Sequence, residues 1–184
     1  MNLPNKLTVL RVLMIPAFVA LYLVQSYFWA LALFGLAAIT DALDGLIARK
    51  YRLVTDFGAL MDPLADKLLV MAAMLCFLAS SHVSAPIVIV LLSREFLVTS
   101  IRLVAVRKGT VISADKWGKL KTVLQMIWIM VGLLLLWLGS IDWLVAIVDG
   151  GWVAFNALTW LVMTLTVLSG LNYIVKNRHL INDA

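Results

Sequence analysis

The 184 residues are 64% hydrophobic and 14% charged, with a mean hydropathy of +1.03, whereas soluble domains are about half apolar. This excludes a disordered chain, and it excludes a soluble helical bundle because the apolar runs lack the polar faces one needs. The net charge of +5 is unevenly placed, and the single cysteine, Cys76, lies inside an apolar run, so it forms no intrachain disulfide and reads as a buried small residue.

Six apolar runs of roughly 18 to 25 residues, the length a bilayer requires, predict an all-α integral membrane protein. They cover 7–24, 27–51, 58–80, 84–108, 117–139 and 152–175, in one domain over 1–184 without internal repeats. Residues 2–5, with Pro4, read as an interfacial lead-in. The first run carries Lys6 and Arg11 without a small-residue cleavage site, so it reads as a retained anchor, kinked at Pro16. The connections 25–26, 80–86 and 139–151 hold no Lys or Arg. The alternate ones hold Lys6 and Arg11; Arg49, Lys50 and Arg52; Arg107, Lys108 and Lys116; Lys176 and Arg178. The positive-inside rule then places both termini in the cytoplasm. Tyr27, Trp29, Trp143 and Trp152 mark the outer interface, and Tyr51, Trp117 and Tyr173 the inner one.

Acids gather where the second run meets the third: Asp41, Asp44, Asp62 and Asp66. Carboxylates near lipid are costly unless paired, metal-bound or functional. On a helix Asp41, Asp44, Gly45, Ala48 and Arg49 share one face, as do Gly58, Asp62 and Asp66. If the two helices are antiparallel neighbours, the four carboxylates converge. Such an oxygen set suits two hard divalent cations. Thr55 or Asp56 reads as the cap of the third helix, with Pro63 in its first turns.

The fourth run places Glu95, Thr99 and Arg102 on one face and Arg94 eight residues before Arg102. One acid cannot neutralise two arginines, which favours a phosphate pocket over an interhelical pair alone. The fifth run opens with Lys116, Lys119 and Lys121, and Gly118, Lys121, Thr122 and Gln125 form a stripe pointing into the bundle. These cations would serve the same anion. In the sixth run Asn156, Thr159, Thr164, Thr166 and Asn172 read as interhelical hydrogen bonders. His82 and His179 read as loop residues, and Asp142 and Asp149 as solvated outer-loop acids.

The pattern D-x2-D-G-x2-A-R-x8-G-x3-D-x3-D is met by Asp41, Asp44, Gly45, Ala48, Arg49, Gly58, Asp62 and Asp66. It resembles the signature of the CDP-alcohol phosphatidyltransferases. Pro4-Asn5, Thr8, Arg11, Arg94-Glu95, Arg102 and Gly118-Lys119-x-Lys121-Thr122 are similar to the branch whose acceptor is sn-glycerol 3-phosphate. The resemblance implies transfer of a phosphatidyl group from CDP-diacylglycerol, with release of CMP, at the cytoplasmic face of the cell's inner membrane. It implies two divalent cations, Mg²⁺ or Mn²⁺, with Asp41 and Asp62 touching both and Asp44 and Asp66 completing one site each. Asp66 is the implied general base. Asn5, Thr8, Gly45, Ala48, Arg49, Thr55 and Gly58 are the implied CDP-diacylglycerol contacts, and Arg94, Arg102, Lys119 and Lys121 the acceptor-phosphate contacts. A homodimer in the lipid bilayer, with no nucleic-acid partner, is implied too. Inositol phosphate and phosphatidylglycerol are alternative acceptors, and a membrane cation transporter is the alternative from another class.

Overall fold

The computed structural model describes the backbone of residues 3–51, 56–108 and 116–178, and within these the side chains other than 3–9, 41–66, 107, 116, 143, 145 and 146. Six α-helices make up the described residues, with no strand: α1 (Leu3–Leu23), α2 (Tyr27–Tyr51), α3 (Asp56–Ala79), α4 (Ala85–Arg107), α5 (Lys116–Gly139) and α6 (Val145–Lys176). A 3-10 turn, Asp142–Leu144, precedes α6.

Two boundaries differ from the sequence reading by more than two residues. Helix α1 starts at Leu3, so the expected lead-in is helical from that residue. Pro4 falls in the first turn, where a missing N–H leaves no intrahelical bond unmade. Helix α6 starts at Val145 rather than 152, which puts Asp149 on an exposed helical surface and not in a loop. Gly151, placed by the sequence in the connection 139–151, serves packing: a Cβ there would stand 2.4 Å from Leu135 Cδ2. Small residues at such crossings let helix backbones approach.

The turns after α1 and α3 are built alike. Gln25 and Ser81 adopt positive φ, 60° and 61°. The next residue then donates back five positions, Ser26 N–H to Leu21 C=O (2.9 Å) and His82 N–H to Phe77 C=O (2.9 Å). These bonds satisfy carbonyls that a helix end leaves orphaned. His82 is more than a plain loop residue. Its imidazole stacks on Trp152 at 4.9 Å and bonds Ser80 Oγ through Nδ1 at 2.7 Å. Burial pushes its pKa below the ordinary histidine value.

Among the described residues the helices form a ring in which α1 packs on α2 and α3, α2 on α5, α5 on α6, and α6 on α4, while α3 reaches α4 and α5 to close it. At the centre Trp128 stacks on Phe155 (5.6 Å, 13°) and meets the edge of Phe77 (5.7 Å, 84°). Its indole N–H donates to Thr159 Oγ1 at 2.8 Å, the interhelical bond expected of Thr159. Thr164 and Thr166 instead donate to their own helix, at Trp160 and Val162 C=O. At that reach a threonine satisfies its hydroxyl within the preceding turn.

Large apolar side chains face outward from all six helices, among them Leu13, Leu36, Leu75, Ile89, Val123 and Trp160. Two stretches, Trp117–Gly139 and Ile147–Lys176, are long and apolar enough to cross a bilayer. An apolar exterior around buried polar residues such as Arg11, Lys121, Gln125 and Ser169 is the arrangement of a membrane protein.

Candidate active site

The eight motif positions fall on the last half of α2 and the first half of α3, joined by 52–55. Asp41, Asp44, Gly45, Ala48 and Arg49 belong to α2, and Gly58, Asp62 and Asp66 to α3; their side chains lie outside the described ones. So do those of Asn5 and Thr8 on α1, while Thr55 lies outside the described residues altogether. Asp56 is the first residue of α3.

The side chains just inside the acids do converge. Arg11 of α1, Phe34, Ala37 and Ala38 of α2, Leu69 and Val70 of α3, and Met126 of α5 surround one small cavity of about 10 Å³. Ala37 precedes Asp41 by one helical turn, and Val70 follows Asp66 by one, an axial distance of about 6 Å on each helix. Asp41 and Asp66 therefore each stand one helical turn from a residue that lines this same cavity. Helix α1 runs between them and contributes the buried guanidinium of Arg11, 3% exposed. Aspartate offers only carboxylate oxygens, a donor chemistry that fits hard divalent cations and not the softer metals that thiolates select.

One residue beyond Asp66, Lys67 opens the wall of a second, larger cavity of about 550 Å³. This lies within the roughly 300–1,000 Å³ range of small-molecule sites. Lys67 lines it from α3, Arg94, Glu95, Val98 and Arg102 from α4, and Gly118, Lys119, Thr122, Val123 and Met126 from α5. Four cations and one carboxylate give its lining a net positive charge, which attracts anions. Of the cations expected to hold a phosphate, the structure brings Arg94, Arg102 and Lys119 together here.

Lys121 lies behind that wall. It is 1% exposed, and its ammonium donates to Glu95 Oε1 and to Gln125 Oε1. Glu95 Oε1 also accepts from Arg94 Nη1 at 3.1 Å, so one carboxylate oxygen joins two cations. Arg94 is fixed from α6 as well: Nη2 donates to Ser169 Oγ at 3.2 Å, and a Cβ on Gly170 would stand 3.0 Å from its Cγ. Among the described residues its buried Nε has no hydrogen-bond partner. Arg102 lies over the Tyr173 ring at 5.7 Å and donates Nε–H to the phenol oxygen at 3.4 Å. Tyr173 is thus a buried support for Arg102, where the sequence reading made it an interfacial anchor.

Sequence reasoning missed Lys67, Ser169 and Gly170. Lys67 follows an acid directly and reads as its counter-charge. Ser169 and Gly170 read as small residues of an apolar span, and only the packing of α6 on α4 reveals their contact with Arg94.

The chain is similar to known proteins. A relative in Bacillus subtilis (strain 168), named CDP-diacylglycerol–glycerol-3-phosphate 3-phosphatidyltransferase, is 42% identical over 141 residues, covering 68% of this chain and 73% of the relative. A protein of the same name in Rickettsia typhi (strain ATCC VR-144 / Wilmington) is 37% identical over 175 residues, covering 94% of both chains. Another in Haemophilus influenzae (strain ATCC 51907 / DSM 11121 / KW20 / Rd) is 39% identical over 134 residues, covering 68% of this chain and 72% of the relative. The family description CDP-alcohol phosphatidyltransferase matches residues 1–171, so the acid-bearing helices and the cationic cavity stand within one matched stretch, and the chain belongs to the CDP-alcohol phosphatidyltransferase family.

Proposed function

We propose that this protein transfers the phosphatidyl group of CDP-diacylglycerol to sn-glycerol 3-phosphate, giving phosphatidylglycerophosphate and CMP. The observation that carries the choice of acceptor is the cavity of Lys67, Arg94, Arg102 and Lys119, which begins one residue past the acid stretch. A neutral alcohol has no use for four cations there, whereas a phosphorylated one does. The relatives from Bacillus subtilis and Rickettsia typhi bear the name of this reaction.

In the reaction a hydroxyl oxygen of the acceptor attacks the phosphorus that carries the diacylglycerol. The bond from that phosphorus to the oxygen bridging it to CMP breaks, and CMP leaves as an anion. Asp66 accepts the hydroxyl proton as the new bond forms. An aspartate of ordinary pKa, about 3.9, is a weak base, so positioning must supply much of the rate. Arg94, Arg102 and Lys119 hold the acceptor by its phosphate. Lys121 fixes Glu95 and, through it, Arg94. Asn5, Thr8, Gly45, Ala48, Arg49, Thr55 and Gly58 receive the CDP end, where a guanidinium suits a diphosphate. Two divalent cations, Mg²⁺ or Mn²⁺, held by Asp41, Asp44, Asp62 and Asp66, would neutralise the diphosphate and stabilise the leaving phosphate.

The reading also places the site at the cytoplasmic face of six spans. Short turns free of Lys and Arg join α1 to α2 and α3 to α4, and the basic residues fall at the opposite helix ends. Lipid tails then remain in the bilayer while the soluble acceptor arrives from water. An acceptor panel tests the proposal: purified protein with CDP-diacylglycerol and glycerol 3-phosphate, inositol phosphate, phosphatidylglycerol or glycerol, following CMP. Release with glycerol 3-phosphate supports it; release with glycerol alone contradicts it.

A further inference from the structure

We propose that Lys67 is an acceptor-phosphate contact and a determinant of the preference for phosphorylated acceptors, an inference that rests on the phosphatidyl-transfer reading above. Lys67 lines the same cavity as Arg94, Arg102 and Lys119. It replaces in that lining the cation the spacing suggested, Lys121, whose ammonium is committed to Glu95 and Gln125.

The local hydrogen bonding fixes how Lys67 is held. Its ammonium donates to Thr99 Oγ1. Thr99 spends its own hydroxyl proton on Glu95 C=O at 2.7 Å, so its lone pairs face the lysine. The stem thereby spans from α3 to α4 with its charge at the cavity wall. The bond to Thr99 leaves the positive charge intact at the cavity wall, where it attracts an anion.

Position along the chain gives the role its content. The Cα of Lys67 is about 3.8 Å from that of Asp66. Lys67 is therefore the cavity cation built on the same helical turn as the residue that takes the acceptor's proton. A short acceptor carrying a phosphate at one end and the attacking hydroxyl at the other must reach both. The lysine links recognition of the phosphate to delivery of the hydroxyl. A purely structural strut between α3 and α4 would act on stability and leave acceptor affinity alone.

The test compares wild type, Lys67→Gln and Lys67→Arg for KM and kcat with glycerol 3-phosphate and for KM with CDP-diacylglycerol. Loss of one charge-assisted hydrogen bond predicts a rise of about 10- to 100-fold in KM for glycerol 3-phosphate in Lys67→Gln. KM for CDP-diacylglycerol stays at the wild-type value, and Lys67→Arg restores most of the acceptor affinity. An unchanged acceptor KM in Lys67→Gln, or equal rises for both substrates, overturns the proposal. If Lys67→Gln gives no turnover, equilibrium binding of glycerol 3-phosphate decides: weaker binding restored by Lys67→Arg supports the role, and equal affinities overturn it. Wild-type protein that releases no CMP with any phosphorylated acceptor overturns the underlying reading; wild-type turnover with unaltered Lys67→Gln constants removes only the lysine.

Discussion

Glu95→Gln isolates the charge that holds the cavity wall together. The substitution keeps the shape of the side chain and removes the anion that Lys121 and Arg94 share. Lys121 is 1% exposed and would keep only the Gln125 amide oxygen and a neutral partner. Breaking a buried ion pair from one side costs about 3–5 kcal/mol, and the lower end applies because Glu95 borders the cavity. At roughly 2–4 °C per kcal/mol for a chain of this size, the unfolding midpoint falls by about 6–12 °C. Thermal unfolding of purified protein in detergent measures it. The double variant Glu95→Gln, Lys121→Met should melt above Glu95→Gln, because of the two cations paired to that carboxylate only Arg94 is then left without it. A Glu95→Gln midpoint equal to wild type, or a double variant no better than the single, would refute the reasoning.

Gly132→Ala should destabilise the protein by about 1–3 kcal/mol through overpacking, because its Cβ would stand 2.7 Å from Phe77 Cζ and 2.8 Å from Phe155 Cε2; an unchanged unfolding midpoint would mean the aromatic cluster yields freely. Ser81→Gly should stabilise by about 0.5–1 kcal/mol, since glycine adopts positive φ without steric cost. Ser81 has φ 61°, and a lower midpoint would show that its side chain holds the turn.

The long apolar runs made the helices legible, and α2 spans the range its run predicted. Glycine was the weak point. Gly150 and Gly151 carry the same local signal whether they end a helix or admit a neighbour, and only the position of Leu135 separates the cases. The charges around the cavity were legible on their helices, since helical spacing grouped Arg94, Arg102 and the lysines of α5. Spacing does not say which charge consumes which. Lys119 and Lys121 differ by two residues, about 200° of helical turn, and the structure puts one on the cavity and the other inside the wall. Likewise the role of Ser169 depends on α6 packing against α4, a contact across 75 residues of chain.

The account stands most directly on the carboxylates of α2 and α3 driving transfer to a phosphorylated acceptor. The decisive measurement is CMP release from CDP-diacylglycerol and glycerol 3-phosphate by wild type and Asp66→Asn, each after chelation and after Mg²⁺ or Mn²⁺ is returned. The account predicts release only by wild type with the cation restored. Undiminished release by Asp66→Asn, or by chelated wild type, would contradict it.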